Sequence, residues 1–95
     1  MSNNYETPDI IGVKALDDYL IYLMYETKEE RIYDMKKQIN ENKFYRNLLS
    51  KQYFKHIKIR GDSIEWEYGE DVAPENLYYK SIDLKDYQEE IREID

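Results

Sequence analysis

The sequence predicts an α+β fold: a twisted antiparallel sheet of about five strands, built from a three-stranded meander and a hairpin, with short helices and a C-terminal acidic helix. Three observations predict it. Residues 10–16 alternate loosely and residues 63–68 alternate strictly, as half-buried strands do. Ala73-Pro74-Glu75 opens a helix, because proline suits the first helical position, where its missing N–H is not needed. Leu84, Tyr87, Ile91 and Ile94 are spaced 3, 4 and 3 apart, which makes one apolar helical stripe.

The elements follow in order. Ile10 to Leu16 is a strand, and Asp17-Asp18 is a turn. Tyr19 to Tyr25 is rich in β-formers and apolar on both faces, which predicts a central strand covered on both sides. Thr27 to Glu30 is a polar turn, and Arg31 to Tyr33 completes the meander. Asp34 suits an N-cap for a helix over 35–39, and Ser50 suits a second cap before Tyr53, Phe54 and Ile57. Residues 35–56 thus form short helical turns with their bases outward. His56 to Arg60 alternates as a strand, Gly61-Asp62 is a tight turn, and Ile64, Trp66 and Tyr68 share one face of the returning strand. Leu77 and Tyr78 point inward from the helix that Pro74 opens. A chain of 95 residues makes one domain. It is expected over 8–82, with the acidic helix of 83–95 appended.

Composition excludes several classes. With 41% apolar and 15% aromatic residues the chain can build a core. The absence of cysteine excludes disulfides and thiolate zinc sites. Tyr19–Tyr25 is the longest apolar run, well short of the roughly 20 residues that cross a bilayer. The start, Met1 to Glu6, shows no basic patch followed by an apolar stretch, so a cytoplasmic protein is expected, with no membrane contact.

The net charge of −7 is segregated. Residues 36–60 hold eight bases against Glu41 alone, residues 61–95 hold twelve acids against three bases, and residues 1–35 hold eight acids against three. The basic middle can lie against the acidic tail, meet the tail of another copy, or bind an anion through Lys43, Arg46, Lys51, Lys55 and Lys58 beside Phe44, Tyr45, Tyr53 and Phe54. The overall acidity argues against direct nucleic-acid binding.

Catalytic constellations are scarce. His56 is the one histidine, so neither an ordinary transition-metal site nor a Cys-His pair is available. Ser63 is the serine best placed for a Ser-His-Asp arrangement, and nothing marks it as a nucleophile. Three glycines at 12, 61 and 69 make no phosphate-cradling loop. Glu70-Asp71 is the carboxylate pair of most interest, and Asp71 is expected to accept amides near Ala73 and Glu75 in an Asx turn. No enzyme and no cofactor is expected. Trp66 reads as a core anchor. Eleven tyrosines exceed what so small a core can satisfy, since each buried hydroxyl needs a partner. Tyr22, Tyr25, Tyr78, Tyr79 and Tyr87 are the candidates for exposure, with one of Tyr78 and Tyr79 outside.

The stretch Ile64, Trp66, Gly69, Asp71-Val72-Ala73-Pro74, Leu77-Tyr78 resembles the closing signature of the bacterial family called domain of unknown function 2442. Val13 to Leu20 resembles its opening hairpin, Tyr33-Asp34 its Phe-Asp pair, and 44–48 and 54–59 its middle. The resemblance covers about residues 8–80. Glu67 departs from a proline common in the family, the strand at 19–25 is richer in tyrosine than usual, and 82–95 lie beyond the family core. The resemblance implies an α+β fold with a twisted antiparallel sheet, implies no enzymatic activity, and suggests toxin–antitoxin pairing. Some members carry a fused helix-turn-helix domain. This sequence shows none, which argues against operator binding.

Two functions follow as expectations. One is a protein-interaction module, antitoxin-like or an inhibitor of bacterial or phage origin, using an acidic tyrosine surface of Tyr79, Asp83, Asp86, Tyr87 and Glu90. The other is a small-molecule or nucleotide-binding domain, oligomeric, using residues 36–60. A homo-oligomer is compatible with either.

Overall fold

The meander forms as its alternation dictates. The computed structural model describes residues 6–88. Strands β1 (Ile10–Ala15), β2 (Leu20–Tyr25) and β3 (Glu30–Asp34) pair antiparallel in sequence order. A two-residue strand β6 (Ile82–Asp83) adds antiparallel to the free edge of β3, giving the order β1-β2-β3-β6. Strands β4 (Lys58–Arg60) and β5 (Ser63–Glu65) form the hairpin about Gly61, whose φ of +61° suits a residue without Cβ. This hairpin is a ribbon of its own. It joins the β1 edge through the Ile10 N–H donating to the Gly61 carbonyl at 3.0 Å and the Thr7 hydroxyl donating to Asp62 at 2.8 Å.

Short helices lie between the strands: α1 (Lys36–Glu41), α2 (Lys51–Phe54) and α3 (Pro74–Tyr79). A 3-10 turn, Lys43–Leu49, links the first two. The expected Ser50 cap is present, whereas the capping position of α1 falls on Met35, one residue after Asp34, with no side-chain cap. The Asp34 carboxylate accepts from the Lys36 amide at 2.8 Å, and the Ser50 hydroxyl accepts from the Tyr53 amide at 3.3 Å. Proline opens α3 at its first turn. Residues 84–88 are helical.

The core lies between the sheet and the helical layer. Ile21, Leu23 and Tyr25 of β2 meet Met35, Ile39, Leu48, Phe54, Trp66, Val72 and Leu77. Only this face of β2 is fully buried. Leu20, Tyr22 and Met24 on the other face remain half-exposed, so the expectation of cover on both faces fails. Tyr25, expected outside, is fully buried because its register places it on the core face. The strand expected over 63–68 ends at Glu65. The Gly69 N–H donates to the Trp66 carbonyl at 3.0 Å and turns the chain, which swings Tyr68 outward to 73% exposure.

Candidate functional site

The five candidate anion-binding bases do not converge. Lys43 and Arg46 flank a groove of about 300 Å³ that Ile39, Glu41 and Leu49 also line. Lys51 and Lys55 border a separate recess of about 90 Å³, beside Asp17, Asp18, Tyr19 and Phe54. Lys58 lies exposed on β4. Among the described residues none of the five makes an ion pair. The paired cations are Arg31, Lys36 and Arg60. The tail's described acids therefore leave this basic surface uncompensated.

The acidic end is partly assembled. Tyr79 is 58% exposed, whereas Tyr78 turns inward and donates its hydroxyl to Glu29 at 2.6 Å. One of the pair is outside, as helical geometry requires. Asp83 is half-buried, Asp86 is exposed and Tyr87 is half-buried. Glu90 lies outside the described residues.

The end of β6 is anchored by one arginine. The Arg31 Nε donates to the Ser81 hydroxyl at 2.6 Å and Nη2 to the Ser81 carbonyl at 2.9 Å. Its Nη1 meets Glu29 at 3.2 Å, and the guanidinium lies 5.0 Å from the centre of the Tyr78 ring. The Tyr78 hydroxyl, with Thr27 and Arg31, holds the Glu29 carboxyl below its usual range despite some burial. Beneath it the Tyr25 hydroxyl is buried without a hydrogen-bond partner among the described residues, and burial pushes that phenol's pKa up.

The signature residues are architectural. Trp66 is buried and donates its indole N–H to the Phe54 carbonyl at 2.9 Å. Gly69 has a φ of +101° in the turn that follows. Pro74 opens α3, and Leu77 and Tyr78 seat it on the core. Asp71 corrects the expectation made for it. Its carboxylate accepts from Arg60 at 3.3 Å, and its backbone bridges Glu65. The hairpin brings Arg60 alongside, and that charged donor takes the oxygen assigned to the helix amides.

These signature residues lie in a single stretch, and the family model described as "protein of unknown function (DUF2442)" matches residues 10–83, which includes all of them. The chain belongs to that family. No curated protein and no solved structure matches it. The DUF2442 match takes in β1 through β6, so both ends of the four-stranded sheet belong to the shared fold.

A buried carboxylate was not foreseen. Glu70 is 3% exposed and accepts from the Tyr53 hydroxyl at 2.6 Å and the Asn47 amide at 2.9 Å. The Tyr53 hydroxyl in turn accepts from the Tyr68 N–H at 2.8 Å, and the two rings stack at 5.1 Å. Burial alone would raise the Glu70 pKa. The two donors, together with its own backbone N–H, outweigh it and hold the pKa below its usual value. Glu70 belongs to the DUF2442 signature stretch, and its partners reach it from the helical layer, so its role is to clamp the turn after Trp66.

Ser63 and His56 do not form a nucleophile pair. Ser63 is buried and its hydroxyl donates to the Val72 carbonyl, while His56 is exposed. Among the described residues no cluster of three or more His, Cys, Asp or Glu could hold a metal ion. No helix among them is long and apolar enough to cross a membrane.

Proposed function

We propose that the chain is a non-enzymatic protein-interaction module, which binds a basic partner protein through its acidic, tyrosine-bearing C-terminal surface in an antitoxin-like or inhibitory role. One observation carries the reading. Tyr79 and Ile82 stand 58% and 39% exposed in the same short stretch as Asp83 and Asp86, next to a Tyr78 that is secured inside. An exposed tyrosine gives a large contact area at low conformational cost, and acids around it select a basic surface. Such a partner would have its cationic site masked.

The nucleotide-binding alternative is favoured less. It needs the bases of 36–60 to converge on one ligand, and neither recess gathers more than two of the candidate bases.

Affinity capture of the native chain, with native mass spectrometry of the eluate, tests the proposal. A stoichiometric basic protein that is lost with Y79A/D83K/D86K supports it. Capture of a small ligand alone, or of a protein indifferent to those substitutions, refutes it.

A further inference from the structure

The helical layer carries a second, oppositely charged surface. Between α1 and the Lys43–Leu49 turn runs the groove of about 300 Å³ whose floor includes the buried Ile39. Leu49 lines it at 54% exposure and Phe44 stands nearby in sequence at 52%, both large apolar groups left in water. Lys43 and Arg46 flank the groove without an ion pair among the described residues, and Glu41 is its one acid. An apolar floor with a basic rim accepts an amphipathic acidic segment.

The chain itself contains such a segment. Residues 83–95 carry Asp83, Asp86, Glu89, Glu90, Glu93 and Asp95 against Lys85 and Arg92, with Leu84, Tyr87, Ile91 and Ile94 at helical spacing. Asp83 and Asp86 make no ion pair with any base of 36–58. The described start of the segment, residues 83–88, therefore makes no ion pair with its own basic layer. We propose that the groove takes the acidic C-terminal segment of a second copy of this chain. The contact is heterologous, because two different surfaces meet, so it generates a ring or an open chain of subunits. A basic partner that binds the acidic surface competes with it.

Sedimentation equilibrium of the full chain, at low salt and at about 0.5 M salt, tests the contact. Association that rises with concentration and falls with salt is expected. The variants K43E/R46E and E89K/E90K/E93K, each keeping the wild-type circular dichroism, are expected to weaken it about tenfold or more, and an equimolar mixture of the two to restore it. A wild type that stays monomeric overturns the proposal, including the case in which only the mixed variants associate, which places the segment on its own groove. Association that neither variant weakens also overturns it. The partner reading stands or falls separately, on the capture experiment.

Discussion

Trp66 holds Phe54 twice. Its indole N–H donates to the Phe54 carbonyl at 2.9 Å, and its ring stacks on the Phe54 side chain at a centroid distance of 5.8 Å. The two residues belong to different units, the turn after the hairpin and α2, so this contact ties the ribbon to the helical layer. Trp66→Ala removes both links and leaves a cavity, and is expected to cost about 3–5 kcal/mol. Trp66→Phe keeps much of the stacking and strands a buried carbonyl, for about 1–3 kcal/mol. Urea denaturation followed by circular dichroism ranks them, and a Trp66→Phe chain as stable as the wild type would show that the hydrogen bond contributes nothing.

Glu70 makes stability depend on pH. Its pKa in the folded chain is below the ordinary 4.5 that it regains on unfolding. The native state therefore binds fewer protons in this range, and the stabilisation is complete above the unfolded value and lost as pH falls through the folded one. Glu29 acts in the same direction. Glu70→Gln is expected to flatten part of the acid limb of a stability–pH curve. An unchanged slope would mean that the Tyr53 and Asn47 bonds do not bias the carboxylate.

Tyr53→Phe probes the same clamp from the other side. The lost hydroxyl both donates to Glu70 and accepts from the Tyr68 amide. A hydrogen bond to a charged group contributes about 1.5–3 kcal/mol, so a loss in that range is expected by urea titration near neutral pH. Asn47→Ala, which leaves Tyr53 in place, is expected to cost less, since Asn47 is itself exposed.

Legibility in the sequence follows the range of the interactions. The meander was readable because alternation and turn residues are local, and the Asp34 turn bond and the Ser50 cap act within three residues. Pro74 marked α3 for the same reason. Tyr68 misled, since it continues the alternation of Ile64 and Trp66, yet the turn at Gly69 had already ended the strand. Glu70 stood out only as half of a carboxylate pair, and its burial gave no signal, because its donors stand 17 and 23 residues away. β6 is equally silent. Two residues make no pattern, and the strand is fixed by Arg31, 50 residues before the serine it holds. Of the candidate site, the exposure of Tyr79 was readable from helix geometry, whereas the separation of the five bases depended on where the short turns placed them.

Arg31→Lys tests how β6 is held. Lysine keeps the charge and loses the planar fork that engages both the Ser81 hydroxyl and its carbonyl. A loss of about 1–2 kcal/mol is expected, with faster hydrogen exchange at the β3–β6 amides and unchanged protection in β2. Uniform acceleration across both strands would instead indicate global destabilisation and no local role for the fork.

Lys28 occupies the left-handed region, with φ of +79°, in the turn between β2 and β3. The turn needs that angle, because the Lys28 N–H donates to the Tyr25 carbonyl at 2.8 Å while the Tyr25 N–H donates to Glu29 at 2.9 Å. A residue with a Cβ is disfavoured there by roughly 1 kcal/mol. The Lys28 side chain is exposed and makes no ion pair among the described residues, so little opposes its replacement. Lys28→Gly relieves the angle and adds freedom to the unfolded chain, and the net expectation is a gain of about 0.5 kcal/mol. Asp18, with φ of +65°, is the counter-case, because its carboxylate holds Lys36 at 3.2 Å and glycine would forfeit that pair. Thermal melts of K28G, K28A and D18G separate the effects. K28G alone should melt higher than the wild type, and a rise in K28A as well would assign the gain to the lost charge and not to the backbone.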